Sequence, residues 1–443
     1  MSDYIYMLES HLAPDQNRAV EAVRAAAGEA SVNMFLTGGA MRDMLGGFRI
    51  RDLDFAVEGN ALKVAKAFCD RTGAATVSID ENQKSAELLL PTGATLQIAM
   101  SRREKYPRAG AKPQVTPATI QEDLRGRDFT CNAIALSLNQ ASRGLLLDPM
   151  NGLADIGRRE LRSVSAYGFY DDPSRLLRLE RLRVRLGFTI EERTQMQVAN
   201  AREAEIEKLI PARVLGEELK HIATEDSPAE ILRALEEAKL LALISPALAG
   251  AKLNLAGLAK FEKFCRLLPD DAHNRAARLG PFFSVLTEHL TPKEEQSLIQ
   301  SAGLHKVEVD LWRKLGARAK KLESALRSPR IRKPSQVYQI ASEAAPDEIL
   351  FLLYHSALKP AQERLRNYFQ KYLPAVQEIT AEELARVEGK PGTPRYQKAR
   401  AEFIARRLDH PPRKPVVPPV APPPVPEPPP PMRRGRFGGT AAR

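Results

Sequence analysis

Two periods of hydrophobicity divide this chain. Up to about residue 30 apolar positions recur at helical spacing, with Tyr4, Met7, Leu8 and Leu12 leading into an Ala-rich stretch that ends at Ala27. From Val32 the period shortens, and β-like runs follow at 32–37, 53–57, 74–79, 85–90 and 95–100. Pro91-Thr92-Gly93 parts the last two, which predicts a hairpin, and a helix-like segment at 61–69 lies between strands. The segment 103–117 is basic, contains prolines and has no period, which reads as a mobile loop. After about Asp172 the pattern turns almost wholly helical, with helices expected at 173–186, 193–207, 213–223 and 228–238 and onward to about Arg407. No clean internal repeat is visible.

This order predicts an α+β protein. A head with a mixed β-sheet and helices occupies 1–150, and an all-α neck (151–225) and helical body and tail (226–410) follow it. The composition then shifts: 13 of residues 411–431 are proline and Arg433-Arg434-Gly435-Arg436 comes next, a segment unable to build a core and expected to be a disordered basic tail over 411–443. That tail carries six positive charges and one negative, so nearly half of the net +11 lies outside the folded part. A positive balance suits a polyanionic partner, and it is also that of many ordinary soluble proteins. Cys69, Cys131 and Cys265 show no paired spacing, which excludes a disulfide framework or zinc knuckle and fits a reducing compartment. No apolar run reaches the length of a membrane span, and the N-terminus lacks a signal-peptide pattern, so the expected location is the cytoplasm.

The candidate chemistry begins at Gly38-Gly39-Ala40-Met41-Arg42-Asp43, just after the apolar run 34–36. Without a Cβ, two glycines let the backbone approach a phosphate and donate N–H groups to it. Asp52 and Asp54 follow two residues apart, a spacing that puts both carboxylates on one face of a strand. Like charges so close favour a cation between them; hard oxygen ligands beside a phosphate cradle point to Mg²⁺. The pair and the cradle together describe a nucleotidyl-transfer site. Further on, Arg127-Asp128-Phe129-Thr130-Cys131-Asn132-Ala133 reads equally as a capped loop-to-helix entry. Asp171-Asp172-Pro173 opens a helix with Asp172 at the cap, and Gly187 closes it. Arg175, Arg178 and Arg181 recur every three residues, so they are expected along one face, either as a solvated stripe or as a hold on a triphosphate and its base.

Read in order, these segments resemble the class II tRNA nucleotidyltransferase and poly(A) polymerase family, strongly over about 30–225 and more faintly to about 410, where Ile379-Thr380-Ala381-Glu382-Glu383-Leu384 and Gly389-Lys390-Pro391 look like a tRNA-binding tail. The resemblance implies that Asp52 and Asp54 bind two Mg²⁺ ions and that Gly38, Gly39 and Arg42 hold the triphosphate. It implies ribose contacts for Arg127 and Asp128, and a head-to-neck hinge at 148–164. Base reading falls to Asp172 and Arg175, with Arg178 and Arg181 as supporting nucleotide ligands, and 210–220 matches a helix that steadies the neck. The implied activity is template-independent addition of CMP, AMP or both to the tRNA 3′ end, with ATP, CTP and the tRNA acceptor end as partners and no protein partner inferable. Poly(A) synthesis, or an RNA-binding relative with impaired catalysis, remains open. The chain departs from the family pattern at Gly126, where Arg is usual, at Asp171, where Glu is usual, and at Gln97, where an acidic side chain is usual.

Overall fold

The computed structural model describes residues 3–411; the Pro-rich segment expected to be disordered lies almost wholly outside them. The described residues fall into two compact units, divided between Ile379 and Thr380. In the second, helices Ala381–Ala385 and Pro394–Asp409 are joined by an Arg407–Glu383 ion pair at 3.3 Å.

The first unit opens with α1 (Asp3–His11) and α2 (Pro14–Glu29). The single amphipathic stretch read from the sequence is therefore two helices, because Pro14 lacks the N–H needed inside a helix and starts a new one. There follow β1 (Asn33–Thr37), α3 (Gly38–Leu45), β2 (Leu53–Glu58), α4 (Ala61–Thr72), β3 (Ala75–Asp80), β4 (Ser85–Leu89) and β5 (Thr95–Met100). With β6 (Arg102–Lys105), β7 (Gln114–Pro117), α5 (Ile120–Gly126), β8 (Ala135–Ser137) and β9 (Leu146–Leu147) the head is complete. Seven strands form one sheet in the order β3-β4-β5-β2-β1-β8-β9. The pair β2–β5 is parallel and the others are antiparallel, so the mixed sheet and the 91–93 hairpin are as expected.

One correction concerns 103–117. Its ends pair as the antiparallel ribbon β6–β7, with Arg103 opposite Thr116 and Lys105 opposite Gln114. The tip returns to the chain further on: Gly110, at φ +65°, packs so closely that a Cβ would lie 2.8 Å from the Leu209 carbonyl oxygen. Strand periodicity fails to announce the ribbon because neither of its faces is buried as a row.

Alternation along the strands divides the sheet's two faces. Leu36, Leu53, Phe55 and Val57 join a core that runs continuously from Ile5 to Phe369. Phe35, Ala56 and Ala135 face the other way, against Ile120 and Leu124 of α5. Asp54 shares this second face with Ala56. Beyond the head come α6 (Gly152–Arg158), α7 (Gly168–Asp171), α8 (Arg175–Leu186), α9 (Glu192–Glu203) and α10 (Ala212–Thr224), and helices continue thereafter. No helix among the described residues is long and apolar enough to cross a membrane.

Candidate active site

The sheet's second face, the β6–β7 ribbon and the start of α8 enclose a cavity of about 670 Å³. Its floor is set by strand register. Asp54 pairs with Thr37 on one side and Gln97 on the other, and paired residues point to the same face. All three line the cavity, as do Ala56 and Ala99 further along their strands. Gly38 turns the chain from β1 into α3 at φ +66°, and a Cβ there would lie 3.1 Å from Arg127 Nη1 and 3.3 Å from Asp54 Oδ2. The space between these groups exists because the residue is glycine. The Gly39 N–H donates to the Asp54 carboxylate.

The two aspartates differ. Burial pushes the Asp54 carboxyl up, and the neighbouring Asp52 pushes it further. Arg127, Arg42 and the Gly39 N–H pull it back, and the balance is about 6 instead of 3.8. Asp52 lies just before β2, at the rim, with its side chain 54% exposed. It accepts from Thr95 Oγ1 and stands 3.5 Å from Arg275 Nη2, and it does not line the cavity. No group of three or more His, Cys, Asp and Glu side chains among the described residues is arranged for a metal. The pair nevertheless fits a hard divalent cation that shares its sphere with phosphate oxygens and water. Its donors are carboxylate oxygens, and their mutual repulsion is what a cation relieves.

The guanidiniums fall into two groups. Arg42 is buried, and three of its N–H groups are taken: Nε and Nη2 donate to Asp43 Oδ1 at 2.9 and 2.7 Å, and Nη1 donates to Asn132 Oδ1 at 2.7 Å. It reaches the cavity with what remains. Arg127 is aimed by Asp123, which accepts from its Nε at 2.8 Å, and by Thr37, whose Oγ1 accepts from Nη2 at 3.2 Å. Asp128 is buried and accepts from the Phe129 N–H at 2.7 Å, Asn132 Nδ2 at 3.0 Å and Arg178 Nη1 at 2.9 Å. Burial alone would raise its carboxyl, but the Arg178 and Arg175 charges and the Asn132 bond hold it well below the usual carboxylate range. Asp128 is therefore a fixed anion that holds Arg178 and Asn132 in place.

The entrance to α8 carries the remaining groups. Asp172 Oδ1 accepts from the Ser174 N–H at 3.1 Å and from Ser174 Oγ, so Asp172 closes the turn ahead of α8, whose N-cap is Ser174 and not Asp172 as the sequence suggested. Arg175 is buried; its Nη1 and Nη2 donate to the carbonyls of Arg127 at 3.3 Å and Gly126 at 3.2 Å. Its Nε has no hydrogen-bond partner and stands 3.8 Å from Asp172 Oδ2. The Asp172 carboxylate and the Arg175 guanidinium, whose Nε itself is covered, thus lie side by side at the wall, an acceptor and a donor group of the kind that the edge of a nucleobase complements.

Of the residues read from the sequence, the cavity wall gathers Gly38, Gly39, Arg42, Asp54, Arg127, Asp128, Asp172, Arg175 and Arg178, and it leaves out Asp52 and Arg181. Arg181 is buried elsewhere: its Nε donates to Glu218 at 2.6 Å and its Nη1 to Glu225 at 3.1 Å. The expectation of three arginines on one face fails geometrically. At about 100° per residue, a step of three falls ~60° short of a full turn, so Arg181 is ~120° round the helix from Arg175. Sequence reasoning assigned no role to Asp123 or Asn132, which aim Arg127, Arg42 and Asp128. Asp123 and Arg127 at i, i+4 on one helical turn were the available signal. Glu104, which accepts from Arg102 Nε and from Tyr106 Oη at 2.7 Å each, forms the ribbon's share of the wall and was also missed.

Residues 34–162 match the poly(A) polymerase head domain. The chain is 37% identical over 208 residues to the A-adding tRNA nucleotidyltransferase of Aquifex aeolicus, covering 47% of this chain and 25% of that one. It is 36% identical over 201 residues to the CC-adding tRNA nucleotidyltransferase of Deinococcus radiodurans, covering 45% and 52%. The matched regions thus span from a quarter to about half of these relatives' lengths. An apo CCA-adding enzyme structure superposes with a TM-score of 0.53 over 92% of this chain and 95% of that one at 23% identity, a likeness of fold. The head, residues 34–162, thus belongs with the poly(A) polymerase head domains, and the chain is similar over about half its length to tRNA nucleotidyltransferases.

Proposed function

We infer that this protein is a template-independent RNA 3′-end nucleotidyltransferase that adds CMP, AMP or both to the tRNA 3′ terminus. The observation that carries the reading is the single cavity holding a carboxylate of a cation-binding pair, a glycine phosphate cradle and the Asp172–Arg175 edge. The reading makes ATP and CTP the small substrates and the tRNA acceptor end the acceptor. It assigns the protein to the cytoplasm.

In this reading Asp52 and Asp54 would hold Mg²⁺. Held there, Mg²⁺ would supply Lewis-acid activation of the RNA 3′-hydroxyl and charge neutralisation at the leaving pyrophosphate. The chain's own groups do the positioning. The Gly38–Gly39 backbone and Arg127 hold the phosphates. Asp172 and Arg175 present acceptor and donor to the base, in place of a template strand. Asp128 keeps Arg178 directed at the nucleotide, whereas Arg181 braces α8 against Glu218 and Glu225. Arg42 acts mainly by fixing α3 against Asn132. The helical part beyond the head contacts the tRNA body through shape and phosphates.

The direct test is incorporation of labelled ATP and CTP, with Mg²⁺ and with EDTA, into tRNAs that end before CCA, after the first C and after CC. Acceptance of the first two with CTP and of the third with ATP is full CCA addition; acceptance of only one class defines A-adding or CC-adding activity. Gln97, a neutral amide directly opposite Asp54, and Gly126, which stands where the family has Arg, favour an impaired RNA-binding relative. Absence of any metal-dependent incorporation, with tRNA binding intact, would establish that second reading.

A further inference from the structure

A separate concentration of positive charge lies in the loop 327–333, between helix Leu315–Arg327 and helix Pro334–Ser342. It reads Arg327-Ser328-Pro329-Arg330-Ile331-Arg332-Lys333, and the side chains of Arg327, Arg330, Arg332 and Lys333 are exposed. The sequence has no acidic residue between Glu323 and Glu343. Glu323 accepts from Ser356, and Asp347 and Glu348 pair with Arg318. Among the described residues none of the four cations forms an ion pair.

The loop's backbone is braced. Arg364, on helix Lys359–Asn367, donates to the carbonyl oxygens of Leu326, of Ser328 at 3.0 Å and of Ile331 at 2.8 Å. Gln336 Oε1 accepts from the N–H groups of Arg332 at 2.9 Å and Lys333 at 3.1 Å. Ile331 packs inward against the main core, while Arg330 and Arg332 on either side of it remain outside. Arg364 spends its charge on carbonyls instead of a carboxylate, so it adds a fifth cation beneath the loop. A braced row of this kind loses little conformational freedom on binding. Four exposed side chains form no enclosing wall for one small anion. Affinity must come from several phosphates engaged together, with release of their counterions, which is the chemistry of a polynucleotide backbone.

We propose that the loop 327–333, braced by Arg364, is a docking contact for RNA backbone phosphates, separate from the nucleotide cavity, none of whose wall it forms. The proposal rests on the reading of the protein as a tRNA nucleotidyltransferase. Its test is the double variant Arg330→Gln/Arg332→Gln in the full chain, with tRNA affinity measured over a series of KCl concentrations. The slope of log K against log salt should become shallower by about 1–2, and affinity near 0.1 M salt should fall roughly tenfold or more. ATP and CTP affinity and the melting temperature should not change. A charge-matched double variant on the exposed head helix α4, Lys63→Gln/Lys66→Gln, should lose clearly less. Wild-type slope and affinity in the loop variant, or equal losses in both variants, would overturn the proposal. So would unchanged tRNA binding with loss of binding to anionic vesicles, which would assign the loop to a lipid surface. A wild-type protein that neither binds nor extends tRNA would refute the functional reading instead, so the two failures are distinct.

Discussion

Asp54→Asn separates the electrostatic cost of this carboxylate from its proposed use in holding a metal. In the folded protein without a cation the Asp54 carboxyl is raised from 3.8 to about 6. A shift of about two units is worth ~3 kcal/mol at 1.36 kcal/mol per unit, and contact with solvent along the cavity trims this to ~1–3 kcal/mol. The sign follows from proton binding. Between about pH 4 and 6 the folded state holds a proton that the unfolded state releases, so this group's contribution is most favourable below that window and is lost as pH rises through it. The amide retains an oxygen for the Gly39 N–H and removes the repulsion from Asp52. In EDTA the variant should match wild type only below about pH 4 and exceed it by ~1–3 kcal/mol at pH 8, read from urea unfolding of the two proteins side by side. Added Mg²⁺ should stabilise wild type at pH 8 and leave the variant unmoved, and the variant should lose nucleotide incorporation while keeping tRNA affinity. A variant no more stable than wild type at pH 8 in EDTA would refute the account of a carboxyl raised by burial and by Asp52, and near-normal turnover would refute the metal assignment.

Three further outcomes test other parts of the site. Arg175→Ala removes both the donor beside Asp172 and the two bonds to the 126–127 carbonyls; competition between CTP, ATP and GTP should show discrimination reduced by ~1–3 kcal/mol, and unchanged misincorporation would leave Arg175 a purely structural residue. Gly38→Ala strains a left-handed backbone by ~1–2 kcal/mol and crowds Arg127 Nη1, so kcat/KM for nucleotide should fall at least about tenfold, and wild-type kinetics would show that the cradle is not used. Gln97→Asp adds a carboxylate opposite Asp54 and should lower the Mg²⁺ concentration for half-maximal rate; turnover found only in this variant, with an inert wild type, would mark the natural protein as catalytically impaired.

Much of the site was legible because its chemistry is local in sequence. A glycine's lack of a Cβ, two aspartates at strand spacing and an Asp-Pro helix entry act within a few residues, so Gly38, Gly39, Asp54, Asp172 and Arg175 could be picked out with no knowledge of what they face. The β-like runs likewise announced β1 to β5: β1 and β2 are buried on both faces, β4 and β5 mainly on one, and β3 was found although its residues are exposed. The sequence also determined that the first part mixes strands with helices and that the remainder is helical.

Tertiary structure decided the rest, where the partner lies far along the chain. The β6–β7 ribbon exists by pairing with itself across a loop, not by burying a row of side chains. Asp128 is spoken for by Arg178, 50 residues on, and Arg42 by Asn132, 90 residues on. Whether an arginine serves a ligand or a carboxylate depends on such distant partners: Arg175 meets the head's carbonyls and leaves its Nε without a hydrogen-bond partner, while Arg181, two steps along the same helix, rotates into Glu218 and Glu225. Period and spacing fix which way a side chain leaves its own element, but only packing fixes what stands opposite, and a charge takes its role from what it faces.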